Sequence, residues 1–272
     1  MKISFCSNFH GQGAVTSNVL AVSTIFAKEY KQKVILTQTH FDKNNLQRSL
    51  LGSSFDDNEI VQFDNTGIDA LIRYSKQGPI TDQIVNNCSV SLYKQQLNLV
   101  SGTSKKNREV YMKDMISRYA EILNALDRLS DYVFIDTNSG DDELTRITLD
   151  ESDIVVANFS QNTAVIEEYF ANDRFKKYLD KTVFLIGNYD CNSRYNVNNL
   201  SRSIKGLKRD KVAVIPYNVE YLDAQCDGKV LDFFEKNLES SKNDNNYYFI
   251  KSVNEAAKLI KKTESRINRE AV

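Results

Sequence analysis

The sequence predicts an α/β fold, namely a doubly wound, mostly parallel sheet of seven to eight strands with helices on both faces. The first observation is a series of short, nearly continuous apolar runs, which are typical of strands covered on both faces. They occupy residues 3–6, 34–37, 97–100, 132–136, 154–159, 183–186 and 212–215. The second observation is that helical patterns separate these runs, and strands that alternate with helices form parallel sheets with right-handed crossovers.

Helical spacing of apolar residues is clearest in three segments, residues 16–30, 109–129 and 251–269. Each segment repeats apolar residues three and four positions apart, as a helix that packs on a sheet requires. The apolar side of the last segment holds Ala, Val and Ile without Phe or Trp, and Lys and Arg lie elsewhere on it. We therefore expect it to pack on the sheet with a solvated basic face rather than to lie in a membrane.

The chain is expected to form one main domain. Residues 1–238 would make the domain, the polar stretch 239–246 a loop, and residues 247–272 a helix packed on the same domain. A chain of 272 residues can bury a sizeable core. The pattern contains no internal repeat that would suggest a solenoid or a propeller.

Composition excludes several classes of protein. The chain is 41% hydrophobic and 26% charged, which rules out collagen-like, coiled-coil and wholly disordered proteins. With 35 basic and 36 acidic residues the net charge is −1, so the whole chain has no electrostatic reason to bind nucleic acid or anionic lipid. A local basic patch would still allow a nucleic-acid partner.

Cysteine usage and hydropathy predict a cytoplasmic location. The four cysteines, Cys6, Cys88, Cys191 and Cys226, lack the short spacing of metal or redox motifs, so buried free thiols are expected. No apolar stretch reaches the about 18 residues that a membrane span needs. The first residues become polar too early for a signal peptide.

The loop after the first predicted strand has the composition of a phosphate cradle. Residues 7–18 read SNFHGQGAVTSN and lead into a predicted helix. Glycines let backbone N–H groups approach a phosphate, and the helix N-terminus adds partial positive charge. The alternative needs no ligand: Gly11 and Gly13 would form a tight turn, and Thr16 or Ser17 would cap the helix.

This loop resembles that of the ParA/MinD family of P-loop ATPases, which reads K-G-G-x-G-K-T-T in the same place. The register places these residues at the family's nucleotide-binding positions: His10, Gly11, Gln12, Gly13, Ala14, Val15, Thr16 and Ser17. Both lysines of the family are replaced, the first by His10 and the second by Val15. The resemblance implies that Thr16 supplies a hydroxyl ligand to Mg²⁺. His10 would either be a polar turn residue or reach the partner in a dimer.

The segment after the second predicted strand resembles the family's D-x-D-P-Q-x-N-L. It reads QTHFDKNNL, so Gln38 and His40 replace the two acids. Gln is neither a base nor a strong Mg²⁺ ligand, and Asp42 would take the catalytic role only through a shift of the turn. His40 is expected on the surface, because no second His or Cys lies near it in sequence.

Further segments resemble the family in the same order along residues 1–236. Residues 131–137 (DYVFIDT) resemble D-Y-V-I-I-D-T, which implies that Asp136 holds a water of Mg²⁺. Residues 183–188 resemble the strand whose last residue, here Asn188, contacts adenine. Residues 214–218, with Pro216, resemble its I-P-Y segment. Ordinary roles as a cap or a turn remain open for Asp136 and Asn188.

The resemblance implies a SIMIBI-like P-loop NTPase fold and a homodimer that binds ATP and Mg²⁺. Loss of one charge-assisted contact removes about 1.5–3 kcal/mol of binding, and the loss to catalysis should be larger. We therefore expect a pseudo-ATPase similar to TadZ and CpaE proteins, acting as a positioning or scaffolding factor beside a protein partner of a membrane-associated machine. Pilus or secretion assembly, conjugation and partition all fit this expectation.

An active ATP-dependent dimerisation switch is the alternative, with a site rewired through His10, Gln12 and Asp42. An iron-protein or metabolic relative of the same superclass is disfavoured, because Cys88 lacks a suitably placed companion cysteine.

Overall fold

A computed structural model describes residues 1–52, 66–140 and 142–270. These residues form an eight-stranded sheet with the order β3-β4-β2-β5-β1-β6-β7-β8. The strands are β1 Lys2–Cys6, β2 Val34–Gln38, β3 Val90–Tyr93, β4 Leu97–Leu99, β5 Tyr132–Asp136, β6 Ile154–Phe159, β7 Thr182–Tyr189 and β8 Val212–Pro216. The helices are α1 Val15–Lys28, α2 Asn45–Leu51, α3 Gly67–Ser75, α4 Asp82–Cys88, α5 Arg108–Leu129, α6 Glu143–Glu151, α7 Thr163–Ala171, α8 Asp173–Lys176, α9 Val197–Ser203, α10 Val219–Cys226, α11 Val230–Asn237 and α12 Tyr247–Glu270. The predicted fold class is confirmed.

The sequence patterns did not predict β3. β3 pairs antiparallel with β4, whereas the other described pairs are parallel. Its residues are half-buried or exposed, so no continuous apolar run marks it. Residues 94–96 join the two strands, and Lys94 and Gln95 have φ of 43° and 60°, the left-handed values that the central residues of a tight hairpin turn require.

Helices cover both faces of the sheet because side chains of each strand alternate between two apolar clusters. In β5, Phe134 belongs to the cluster under α1, α11 and α12, whereas Val133 and Ile135 belong to the cluster under α3, α4 and α5. A third cluster, under α7 and α9, covers the β6 and β7 side of that second face. The central strands are therefore buried on both sides.

The last helix, α12, begins at Tyr247, the first residue of the expected C-terminal helix and four residues before the apolar pattern of residues 251–269. Its buried residues Phe249, Val253, Ala257 and Ile260 share an apolar cluster with α1 and the sheet. Farther along, Glu264 accepts a hydrogen bond of 2.7 Å from the Tyr132 hydroxyl of β5. Among the described helices, none is both long enough and apolar enough to cross a membrane.

The expectation of buried thiols is half wrong. Cys6 in β1 and Cys88 at the end of α4 are buried, and burial raises the pKa of Cys88 to about 11. Cys191, in the turn after β7, and Cys226, at the end of α10, are exposed. Of the apolar residues near Cys226, Ala224 and Val230 are buried, whereas Leu222 is exposed as Cys226 is.

Candidate functional site

The candidate site lies where the carboxyl ends of the central strands meet. β1 sits between β5 and β6, and residues 7–14 connect it to α1. Parallel strands carry their ligands at this edge, beyond their carboxyl ends. The loop, the end of β5 and the end of β7 are therefore brought together by topology alone.

Helix α1 begins without a side-chain cap. Its N-terminal neighbour Ala14 is left-handed, with φ 51° and ψ 36°, and no described side chain accepts a hydrogen bond from the first turn. The prediction that Thr16 or Ser17 caps this helix is wrong, because the helix already starts at Val15 and both hydroxyls lie inside it. Uncapped N–H groups at a helix start are suited to an anion.

The turn before the helix is held by buried amide side chains. Asn18 Nδ2 donates to the Gly13 carbonyl at 3.2 Å and to Asn158 Oδ1 at 2.9 Å. Gly13 lies so close to β6 that a Cβ on it would be 2.6 Å from the Asn158 carbonyl oxygen. Gly11 needs glycine for another reason, since its φ is 74° and nothing crowds it. These two glycines therefore form a tight turn, and the same backbone also suits the predicted phosphate loop.

The end of β7 closes over the same turn. A Cβ on Gly187 would lie 2.9 Å from the Gly13 carbonyl oxygen. The next residue, Asn188, is exposed and left-handed, with φ 49°, at a point where the register between β7 and β8 shifts. Pro216 is buried at the end of β8, opposite Tyr189. Both predicted residues therefore lie at this edge of the sheet, and adenine contact stays a prediction.

Thr16 and Asp136 meet directly. The Thr16 hydroxyl donates to Asp136 Oδ2 at 2.7 Å, and the Asp136 side chain is completely buried. The other oxygen, Oδ1, accepts no hydrogen bond from the described residues. A buried carboxylate oxygen without a donor, next to a hydroxyl, fits the oxygen-rich surroundings that Mg²⁺ and its waters prefer.

His40 is not the surface side chain that we expected. Its Nε2 atom lies 3.5 Å from Asp136 Oδ2, which is an ion-pair distance and too long for a good hydrogen bond. Burial opposes the charged ring, but the Asp136 carboxylate outweighs it and raises the pKa of His40. Where the resembling family has a second acid, this chain thus has an imidazole that faces the buried Asp136.

Gln38, at the other acidic position, has a structural task. Its buried Nε2 donates to the Lys43 carbonyl at 2.7 Å and to Asn44 Oδ1 at 2.9 Å. A carboxylate accepts hydrogen bonds but donates none, so it would not hold this turn. The substitution removes an acid and fixes the path of residues 39–44 at once.

A cavity of about 300 Å³ adjoins the loop. Both histidines of the chain, His10 and His40, line it together with Asp42 and Arg108. Asp42 is exposed, and its Oδ2 atom lies 3.9 Å from Arg108 Nη1. Its ion pair is therefore with Arg108 and not with the site of Thr16 and Asp136. Gln12 points elsewhere, and its Oε1 accepts a hydrogen bond of 3.4 Å from Ser160. Of the three residues in the alternative prediction, the cavity gathers His10 and Asp42.

Comparison with known proteins bears on the fold. No protein-family model matches the sequence, and no curated protein sequence matches it. The ParA family ATPase from Chlorobium tepidum TLS is similar in structure, with a TM-score of 0.71 and 11% identity over 94% of this chain and 98% of that one. MinD from Pyrococcus horikoshii OT3, complexed with Mg-ADP, has a TM-score of 0.65 and 17% identity over 96% of this chain and 98% of that one. This chain has the ParA/MinD ATPase fold. The MinC:MinD cell division protein complex from Aquifex aeolicus contains a chain with the same fold, with a TM-score of 0.65 and 15% identity over 94% of each chain.

On this ParA/MinD fold the first residue of α1 is apolar. Val15 is half-buried and packs against the apolar cluster under α1, α11 and α12, which we call the central apolar cluster. Ser17 is tied to the neighbouring helix, because its hydroxyl donates to Gln225 Oε1 at 2.8 Å and its carbonyl accepts from the Tyr221 hydroxyl at 2.7 Å. Nothing in the sequence indicates these contacts, since α10 lies about 200 positions further along the chain.

The described residues contain no cluster of three or more His, Cys, Asp or Glu side chains suited to hold a metal ion. Sites built from protein side chains alone, such as structural zinc sites, need about four such ligands. Mg²⁺ is bound differently, through one or two side chains, waters and phosphate oxygens. Thr16 and Asp136 supply side-chain oxygens of the type that a site of the second kind uses.

Proposed function

We propose that the chain is a nucleotide-binding pseudo-ATPase of the ParA/MinD kind, which acts as a positioning or scaffolding factor. One observation carries the proposal: Thr16 donates to the buried Asp136 beside an uncapped helix start, while the first helical residue is Val15. This arrangement keeps the polar groups that hold a phosphate and Mg²⁺ and lacks the ammonium group that stabilises the transferred phosphoryl group.

The chain's own residues account for binding. The N–H groups at the start of α1 would donate to phosphate oxygens, and the left-handed Ala14 sets their direction. Thr16 would bind Mg²⁺ and Asp136 one of its waters; when bound, the ion neutralises phosphate charge. Gly13 stays fixed through Asn18, so the cradle is formed before the ligand arrives.

Hydrolysis would be weak for two reasons. Val15 offers no charge to the phosphoryl group as charge develops in the transition state. In addition, His40 stands where the family has its second acid, with its Nε2 atom 3.5 Å from Asp136 Oδ2, so that carboxylate is absent from the site. Gln38, engaged with Lys43 and Asn44, is not a base either.

A homodimer that meets through the loop edge is part of the proposal. His10 is exposed on the loop, and Phe9 beside it is 37% exposed, which is large for an aromatic side chain. Tyr217 and Val219, which follow β8 at the same edge of the sheet, are 56% and 58% exposed. The MinC:MinD complex among the similar structures supports a protein partner as well. Pilus or secretion assembly, conjugation or partition is the process that we propose, and the resemblance to TadZ and CpaE proteins supports the first of these.

The second candidate is an active ATP-dependent dimerisation switch. The observation in its favour is the cavity that joins His10, His40 and Asp42. In this version the exposed Asp42 would replace the lost acid, once the turn after β2 moves it towards the loop. The two candidates differ in turnover and not in fold.

Calorimetric titration with ATP, ADP and Mg²⁺, read beside the solution mass with and without nucleotide, tests the proposal. We expect Mg²⁺-dependent binding that Thr16→Ala weakens, together with little hydrolysis. Thr263→Ala is the matched control, because among the described residues that hydroxyl bonds only within its own helix, to the Leu259 carbonyl at 3.0 Å. Turnover at a normal family rate that Asp42→Asn abolishes would favour the switch, and failure of both nucleotides to bind would contradict both candidates.

A further inference from the structure

The sheet ends in an open edge at β8. This strand pairs with β7, and no other described strand lies on its far side. An open edge presents backbone N–H and C=O groups to any extended chain that approaches. The Val212 carbonyl already accepts a hydrogen bond from the Arg209 guanidinium at 3.1 Å, so the first carbonyl of β8 is open to a donor other than β7.

A groove of about 430 Å³ runs beside this edge, and we call it the edge groove. Residues 212–214 of β8 form one side, and one stripe of α12 forms the other, in which Lys251, Lys258 and Lys262 recur. From residue 251 to residue 262 the helix rises about 16 Å at ~1.5 Å per residue. Five residues of an extended strand span about the same length at ~3.3 Å per residue. The groove and the five-residue β8 therefore match a short strand in length.

The edge groove is basic although the chain as a whole is not. Four basic residues line it, namely Arg209 and the three lysines of α12, against two acidic ones, Asp210 and Glu255, while the net charge of the chain is −1. The three lysines are exposed, and of them Lys258 has an ionic partner in Glu255, at 2.9 Å.

We propose that the edge groove binds an acidic, extended segment of a partner protein, which adds to the sheet beside β8 and sets its carboxylates against the lysines of α12. Strand addition of this kind takes affinity from backbone hydrogen bonds and specificity from alternate side chains. Side chains of the added strand alternate between the two faces of the sheet, so acidic residues at every second position would meet α12.

Two other uses of the same residues make different predictions. Lysines that only protect the edge from aggregation would bind no peptide of either charge. Lysines that bind nucleic acid would prefer phosphates and leave the backbone of β8 free.

The test uses the full chain and a fluorescein-labelled peptide of alternating Glu and Val, with a Lys and Val peptide of the same length as its counterpart. Fluorescence anisotropy should show binding of the acidic peptide alone. K251E/K258E/K262E should weaken it by about tenfold or more, which corresponds to about 1.4 kcal/mol. The control K113E/K205E/K236E changes the same total charge on exposed lysines outside the groove and should have less than a twofold effect, as about 0.4 kcal/mol or less is expected of remote charges.

Hydrogen exchange then separates strand addition from adsorption by charge. The bound acidic peptide should slow exchange of the amides of residues 212–215, which side-chain contacts alone would leave unchanged. Equal binding of both peptides, no binding, or unchanged exchange would overturn the proposal. So would a DNA duplex that competes at the same lysines and binds more tightly than the acidic peptide. Nucleotide binding at Thr16 should be the same in the triple variant, so this test and that of the proposed function fail independently.

Discussion

Substitution of Val15 by Lys is the sharpest test of the proposed site. Val15 is the first residue of α1, half-buried against the central apolar cluster, and it stands at the register position of the family's phosphate-binding lysine. A lysine there keeps its methylene stem on the same apolar surface and extends its ammonium group towards solvent. We expect ATP affinity to rise if a phosphate lies over the uncapped helix start.

The size of the gain follows from the contact that is added. A hydrogen bond to a charged group contributes about 1.5–3 kcal/mol, which is about 10-fold to 150-fold in the dissociation constant. Part of this gain is offset by the rotamer entropy that the lysine loses on binding, up to about 2 kcal/mol. The result should therefore lie towards the lower end, and it should shrink as salt screens the charge.

Calorimetric titration of the wild type, Val15→Lys and Val15→Met with Mg-ATP measures this gain. Methionine matches the unbranched shape of lysine without its charge, so the difference between the two variants isolates the ammonium group. Equal ATP affinity of Val15→Lys and Val15→Met would refute the placement of a phosphate at the start of α1. Denaturant unfolding of both variants checks that the core against which Val15 packs is retained.

Three further changes test the frame of the site and the wider fold by urea unfolding. Asn18→Ala leaves the Gly13 carbonyl and Asn158 Oδ1 without their donor, and the free energy of unfolding should fall by about 1–3 kcal/mol. Gly13→Ala sets a Cβ 2.6 Å from a backbone oxygen, which should cost at least about 1–3 kcal/mol and weaken ATP binding. Burial raises the pKa of Asp114, but Lys76 and Lys105 have the larger effect, so the net shift of that pKa is downwards. The contribution of Asp114 to stability is therefore complete above its pKa in the unfolded chain and is lost as the pH falls below about 4. Asp114→Asn should reduce the loss of the free energy of unfolding over this acidic range of pH.

Each of these predictions has a comparison that can contradict it. Asn254→Ala removes an exposed amide that bonds to Glu29 at 3.0 Å, and it should change stability by less than about 0.5 kcal/mol. Gly11→Ala meets no atom within 4 Å, so its cost should be the left-handed φ alone, about 1–2 kcal/mol. An Asn18→Ala loss no larger than that of Asn254→Ala, or a Gly13→Ala loss below that of Gly11→Ala, would contradict the account of the loop. A free energy of unfolding that falls with acid as much in Asp114→Asn as in the wild type would contradict the account of its ion pairs.

The sheet was predictable because central strands carry their signal locally. Residues 132–136 and 154–159 were delimited correctly as β5 and β6, since every residue in them is buried. β7 extends three residues beyond its apolar run, where Gly187 and the left-handed Asn188 break the pattern. β3 carries no such run, and its pairing depends on a tight turn without glycine or asparagine.

The candidate site was predictable only in its outline. The resemblance located Thr16 and Asp136, which are 120 positions apart and in contact. It did not reveal the contact of His40 with Asp136, because a histidine without a nearby His or Cys gives no sign of its partner. It also missed Asn18 and Asn158, two amides 140 positions apart whose interaction depends on the order of strands. Long-range partners of this kind are set by tertiary structure, which periodicity does not encode.

The buried pair of amides beneath Gly13 has a consequence for experiments on this protein. A turn held in shape by its own side chains gains little order when an anion arrives, so binding should leave the backbone of the turn nearly unchanged while heat is still released. Methods that detect conformational change would then show little response to nucleotide binding. Titration calorimetry is suited to such a rigid receptor, because it follows the contacts themselves.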